Sequence, residues 1–263
     1  MISETIILFG LYSLIGWAFE SAYCSILSKK IINRGFLFGP LCPIYGFGSI
    51  LIIFTLTPVM HSPLLVYLLG FLLTSTLEYA VSLFLEVIFK KSWWDYSDRK
   101  LNINGRVWLV ASAAWGFLAL FLVYLLHPQI IRIIRILPET IKIVIAFVLV
   151  AGIMTDLVFS VRDTVIFNRE MKRLSDLSNR IDRLKDELMK YGSSKRNEWV
   201  AFGMEKKEQL EQELATLLAQ RESVTALFMA RMRRIFDAFP KIKLNHKDNV
   251  SLRERLLSFR KDK

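Results

Sequence analysis

The chain has 263 residues, 53% of them hydrophobic, and a mean hydropathy of +0.38, which excludes an ordinary water-soluble globular domain. Its formal net charge of +11 is unevenly placed: residues 1–160 hold 11 Lys/Arg against 8 Asp/Glu, and residues 161–263 hold 24 against 16. Acid and base alternate through that second half without any nucleic-acid-binding signature, so the excess suits an anionic lipid surface and not DNA or RNA.

Five apolar runs have about the 20-residue length that a helix needs to cross a bilayer. They lie near residues 4–27, 40–57, 64–89, 107–126 and 138–160. The first carries Glu4 and no basic leader, so it reads as a retained span and not as a signal peptide. Cys24 and Cys42 sit near span ends and form no disulfide framework. Between the first two runs lies Asn33-Arg34-Gly35-Phe36-Leu37-Phe38-Gly39-Pro40-Leu41-Cys42-Pro43-Ile44-Tyr45-Gly46-Phe47-Gly48. Glycine permits close backbone approach, and proline removes a donor and fixes φ. With Gly35, Gly39, Pro40, Pro43 and Gly46 shaping its backbone, the stretch is expected to open a broken helix whose freed carbonyls are satisfied by protein or by water in a cavity.

Lysine and arginine set the expected orientation. Lys29, Lys30 and Arg34 follow the first run, and Lys90, Lys91, Arg99, Lys100 and Arg106 follow the third. The loop around Pro58–Pro63 has no basic residue, whereas Arg132 and Arg135 in the next outer loop are a counter-signal. The positive-inside rule then puts the N-terminus outside and the C-terminal tail in the cytoplasm of a multi-pass cell-membrane protein.

From Arg162 the chain turns charged and helical. Leu174, Leu177, Ile181, Leu184, Leu188 and Tyr191 alternate at three- and four-residue steps, the spacing of a coiled-coil seam. Tyr191-Gly192-Ser193-Ser194 breaks that pattern, and Leu210, Leu214, Leu217, Val224 and Phe228 continue it on a second helix. The expected fold is all-α: about five transmembrane helices in residues 1–160, a cytoplasmic helical hairpin or coiled coil in 161–240, and a loosely ordered basic tail in 241–263. The hairpin would support homo- or hetero-oligomers.

Glu20, Glu78, Glu86 and Asp156 fall inside the spans, where an ionisable group costs about 2.5–3.5 kcal/mol at the centre and usually faces a cavity or a partner. Ser75, Glu78, Ser82 and Glu86 share one helical face. Ser13, Gly16, Trp17, Glu20 and Cys24 share another, and Gly152, Asp156 and Ser160 a third. Most of these acids lie toward the cytoplasmic side, near Arg34 and the loop that carries Trp93, Trp94, Asp95, Tyr96, Asn104 and Arg106. A cytoplasm-facing polar pocket floored by Glu78 is the expected site. Arg34 and Arg106 are its counter-charges, and Trp17 and Trp115 are candidates for its wall. Simple helix-tying pairs, Glu20–Arg34 and Glu86–Arg106, are the plainer alternative.

His61, His127 and His246 are not arranged as metal ligands, and no metal or other cofactor is expected. The chain holds no G-x-x-x-x-G-K-[ST] phosphate loop, G-x-S-x-G elbow or H-E-x-x-H motif.

Several motifs recur together between Gly10 and Gly116: Gly16-Trp17-x-x-Glu20, Asn33-Arg34-Gly35-Phe36-Leu37-x-Gly39-Pro40-x-Cys42-Pro43-Ile44-Tyr45-Gly46, Glu78-Tyr79…Glu86, Trp94-Asp95-Tyr96 and Asn104-Gly105-Arg106. The set resembles the ABC-transporter type IV permease family of bacterial membrane proteins. The resemblance implies a transport subunit working with a separate ATPase. The residues themselves leave two other functions open: a membrane scaffold or sensor acting through its coiled coil, and a membrane-embedded enzyme acting on lipid headgroups.

Overall fold

The fold is that of a computed structural model describing residues 1–192 and 200–243, with side chains given outside 190–205. The chain is mostly helical. Among the described residues four helices are long and apolar enough to cross a membrane: α1 (Ile2–Ser28), α3 (Pro63–Phe89), the continuous run Leu109–Ile136, and the stretch that begins at Glu139. Between the first two lies the shorter α2 (Pro43–Leu56), which tightens into a 3₁₀ turn at Thr57–Val59. That combined helix is about 25 Å long at 1.5 Å per residue, against a hydrocarbon core of about 30 Å.

Up to Cys42 the Gly/Pro stretch is a loop, and from Pro43 it is the uninterrupted start of α2. Pro43 opens α2 at the first helical position, where a missing N–H costs nothing, so Pro40 lies ahead of the helix. The Cys42 N–H donates to the Ser13 carbonyl of α1 at 3.0 Å, which fixes the loop's exit. α1 and α3 both end on a lysine in the left-handed conformation, Lys29 at φ 52° and Lys90 at φ 56°.

The loop after α3 contains two short strands, β1 (Asn102–Ile103) and β2 (Val107–Trp108), paired antiparallel with Ile103 opposite Val107. An all-α reading misses them. Asn104 and Gly105 form their turn at φ 52° and 64°, the positive values that an Asn-Gly hairpin turn requires.

The fourth span continues past its expected end. α4 (Leu109–Phe121) runs through a π turn at Leu122–Leu126 into α5 (His127–Ile136), so His127, Arg132 and Arg135 are helical and not in a loop. Pro128 supplies no N–H to the Tyr124 carbonyl, and a π turn is the local adjustment that lets the helix continue. Tertiary bonds hold this region: Tyr12 Oη lies 2.8 Å from His127 Nδ1, and Tyr124 Oη donates to the Met60 carbonyl at 2.6 Å.

The fifth apolar run and the first charged helix are one element, α6 (Glu139–Gly192), without a break at residue 160. α7 (Val200–Arg231) and the short α8 (Arg233–Ala238) follow. The contacts divide the chain into two units. The first joins Met1–Arg162 to the described segment 234–243, and Tyr12, Leu56, Val66 and Ala119 lie in its core. The second is Asp163–Arg233, in which α6 and α7 run antiparallel. Phe167 meets Phe228 with ring centroids 4.9 Å apart, Arg180 pairs with Glu213 at 2.6 Å, and Ile181, Leu184, Leu210 and Leu217 form the core. The Tyr191 side chain, Ser193, Ser194, His246 and the tail beyond Lys243 lie outside the described residues.

Residues 234–243 pack with the first unit, and Lys241–Lys243 are ordered there. Ser92 and Lys243 exchange two backbone hydrogen bonds, at 3.0 and 2.9 Å, and Ile242 is buried.

Candidate functional site

The intramembrane acids are positioned by close helix packing. Gly16 of α1 leaves room for the Tyr45 ring of α2, and Gly46 of α2 leaves room for Ser13 and Phe9 of α1; a Cβ at either glycine would overlap these partners. Tyr45 is thereby aimed at Glu20, whose Oε2 accepts from Tyr45 Oη at 3.2 Å and faces Cys42 Sγ at 3.9 Å. Its Oε1 accepts from Arg34 Nε at 2.9 Å. Burial alone would make Arg34 less basic, but the Glu20 charge beside it more than offsets this and keeps the guanidinium ionised.

Glu78 lies near enough to Glu20 for their charges to interact. Its Oε1 accepts from Tyr96 Oη at 3.3 Å, and its Oε2 is buried. Burial, followed by the Glu78 charge, pushes the Tyr96 phenol up, so it remains a donor. Trp115 approaches Glu78 and packs edge-on to Tyr45 with ring centroids 5.9 Å apart.

A second cluster lies further along α3. Arg106 Nη2 meets Glu86 Oε2 at 2.5 Å, Nη1 donates to Ser82 Oγ at 3.0 Å, and the guanidinium lies 5.7 Å from the Tyr79 ring centre. The hairpin presents Arg106 here. Trp94 Nε1 donates to the Arg106 carbonyl at 3.0 Å, Tyr96 N–H to the Gly105 carbonyl at 2.7 Å, and Asn104 Nδ2 to Tyr79 Oη at 3.1 Å. Trp94 and Asn104 thus brace the loop, while Tyr96 reaches the acids.

Three other expected pocket residues have separate partners. Asp156 accepts the N–H groups of Phe38 at 2.8 Å and Gly39 at 2.7 Å, so it anchors the Gly/Pro loop. Asp95 accepts from Lys243 Nζ at 2.5 Å and from Ser97. Burial would raise the Asp95 carboxyl, but these bonds outweigh it and hold the group below the usual carboxylate range. Trp17 Nε1 donates to Asn33 Oδ1 at 2.6 Å, and Asn33 Nδ2 in turn donates to the Phe38 carbonyl at 2.7 Å. Gly35 adopts φ 122° in the same loop.

The sequence reading did not single out Tyr45, Cys42, Ser82, Arg234 or Lys243 as site residues. Tyr45 and Cys42 stood inside the Gly/Pro motif, and Ser82 on the Glu78 face, so all three could have been found. Arg234 and Lys243 carried no local signal, being two lysine/arginine positions in a basic half.

No match was found among curated proteins or among solved structures. A family model matches residues 7–161, which include both acid clusters and every residue of the Gly/Pro loop, and the chain belongs to that family, described as Putative ABC-transporter type IV.

Proposed function

We propose that this chain is the permease subunit of a transport system with a separate ATPase, and that Glu20, Arg34, Glu78 and Tyr96 form the place where a proton or a cation is handled. Glu78 carries the reading. Glu20 is matched by Arg34 and Glu86 by Arg106, whereas Glu78 meets neutral groups, the Tyr96 phenol and the Trp115 indole, and no counter-ion among the described residues. A buried carboxylate without a counter-ion favours protonation or cation binding, the use to which transporters put such groups. The Arg106–Glu86 pair, Trp17, Trp94, Asp95, Asn104 and Asp156 support the walls of this pocket, and Gly35, Gly39, Pro40, Pro43 and Gly46 shape its loop.

The same reading has α2 as a fifth crossing, with the N-terminus outside and the acids opening toward the cytoplasm. Residues 1–160 then form the transmembrane domain. The hairpin of residues 161–240 pairs as a coiled coil and serves oligomerisation or partner binding, and the basic tail, 241–263, lies at the inner leaflet.

Purification of C-terminally tagged protein from native membranes tests this, with a hairpin-deleted control. A stoichiometric ATPase is expected, and its turnover in the complex should fall at least tenfold with Glu78→Gln. Recovery of no ATPase, or full turnover in that variant, would overturn the proposal.

A further inference from the structure

Both chain segments that lead into and out of the α6–α7 hairpin grip the same short loop. On the way in, the Asp156 carboxylate accepts the N–H groups of Phe38 and Gly39. On the way out, Arg234 donates to the carbonyls of Leu37 at 2.9 Å and Phe36 at 3.2 Å, and its guanidinium lies 4.1 Å from the Phe38 ring centre. Four consecutive residues, Phe36–Gly39, thus have backbone groups held by two side chains 78 positions apart, one accepting and one donating. The loop begins two residues after Arg34, the cation that pairs with Glu20. Arg34 is itself covered by the outgoing segment, since its guanidinium sits 5.1 Å from the Phe239 ring centre. Phe239 is fixed in turn against Trp93, with centroids 4.9 Å apart, and Lys30 ties to Asp237 at 2.5 Å.

We propose that Asp156 and Arg234 are positioning residues for the Arg34–Glu20 pair: by holding Phe36–Gly39 from both roots of the hairpin, they place Arg34 against the intramembrane acid, and a displacement of either root alters that pair. A side chain that only filled space would not need two donors aimed at two consecutive carbonyls. A carboxylate that only satisfied its own helix would not leave α6 to take two N–H groups from a loop more than 115 residues away. The inference deepens the proposed role of Glu20 and Arg34 and rests on it for its meaning, but its test needs neither an ATPase nor a transported molecule.

Cys42 supplies the reporter. Its thiol is buried and faces Glu20 Oε2, and the chain has one other cysteine, Cys24. In full-length Cys24→Ser protein in detergent, maleimide labelling of Cys42 should be slow. Arg234→Met, which keeps an apolar stem but removes both donors, and Asp156→Asn should each accelerate it about tenfold, the effect of losing a charged hydrogen bond. Arg234→Lys, with its single ammonium, should fall between. In an Arg34→Met background, where the pair is already gone, the same substitutions should change the rate less than about twofold, because residues acting through one partner are not additive. Equal acceleration in both backgrounds would overturn the proposal, because it would reveal ordinary structural loosening. So would an unchanged rate where Arg34 is kept. If Arg234→Met does not fold, the comparison of Arg234→Lys in the two backgrounds decides by the same criteria. A failed transport assay alongside the expected labelling pattern would count against the transport reading alone.

Discussion

Removing Arg106 should unfold this protein far more readily than removing the whole pair it belongs to. Arg106 meets Glu86 at 2.5 Å with side-chain exposures of 10% and 19%, and it also donates to Ser82. Arg106→Met would leave Glu86 as an unmatched charge, and breaking a buried pair from one side costs about 3–5 kcal/mol. At roughly 2–4 °C per kcal/mol for a chain of this size, the midpoint should fall by about 6–20 °C. The combined change Glu86→Gln with Arg106→Met removes the stranded charge and should recover most of that loss, because an ion pair and a neutral replacement of similar volume are often nearly equal in energy. The assay is thermal unfolding in detergent, read by loss of the monodisperse elution peak. A single variant within about 2 °C of the parent, or a double variant no better than the single, would refute the reasoning.

Two further outcomes follow from the packing and the charges. Gly16→Ala drives a methyl into the Tyr45 ring and should cost about 1–3 kcal/mol, while Gly152→Ala, whose added methyl meets no atom within 4 Å, should not lower the midpoint and should raise it slightly, because alanine is the better helix former. The Asp95–Lys243 contact should be pH-dependent, because a carboxyl held below its ordinary value contributes stability above the unfolded value of about 4 and loses it as pH falls through the folded one. Proteolytic release of the C-terminal segment should therefore rise only below about pH 4, and Asp95→Asn should release it already at neutral pH.

Much of the first unit was legible because membrane physics leaves few choices. Two arginines stood beside buried acids, and both ion pairs, Glu20–Arg34 and Glu86–Arg106, form as charge matching expects. What escaped were relations that local patterns do not encode. The fourth run is expected to end near residue 126, yet a π turn at Leu122–Leu126 lets the helix run on to Ile136. Asp156 looked like a pocket acid because its stripe of small neighbours matched the others, but its oxygens are taken by a loop. Arg234 and Lys243 stood in a background of alternating charge where no spacing marks a tertiary partner. Asp95 likewise gave no hint that its partner lay 148 residues later. Two-residue strands are too short for any period-2 signal, so only the Asn104-Gly105 dipeptide marked their turn.

The left-handed lysines at the ends of α1 and α3 put two requirements of a membrane chain on the same residues. A glycine at Lys29 or Lys90 would adopt that backbone conformation without a Cβ penalty and tighten the helix end. In the proposed orientation it would also delete a positive charge from loops on the cytoplasmic side, and it would remove one from the negative end of each helix dipole. Improving the finished fold at these two positions would blur the instruction that orients the nascent chain, so topogenesis and folding select opposite residues there. The lysines are the residue type favoured by insertion, held in a geometry that the folded state would assign to glycine.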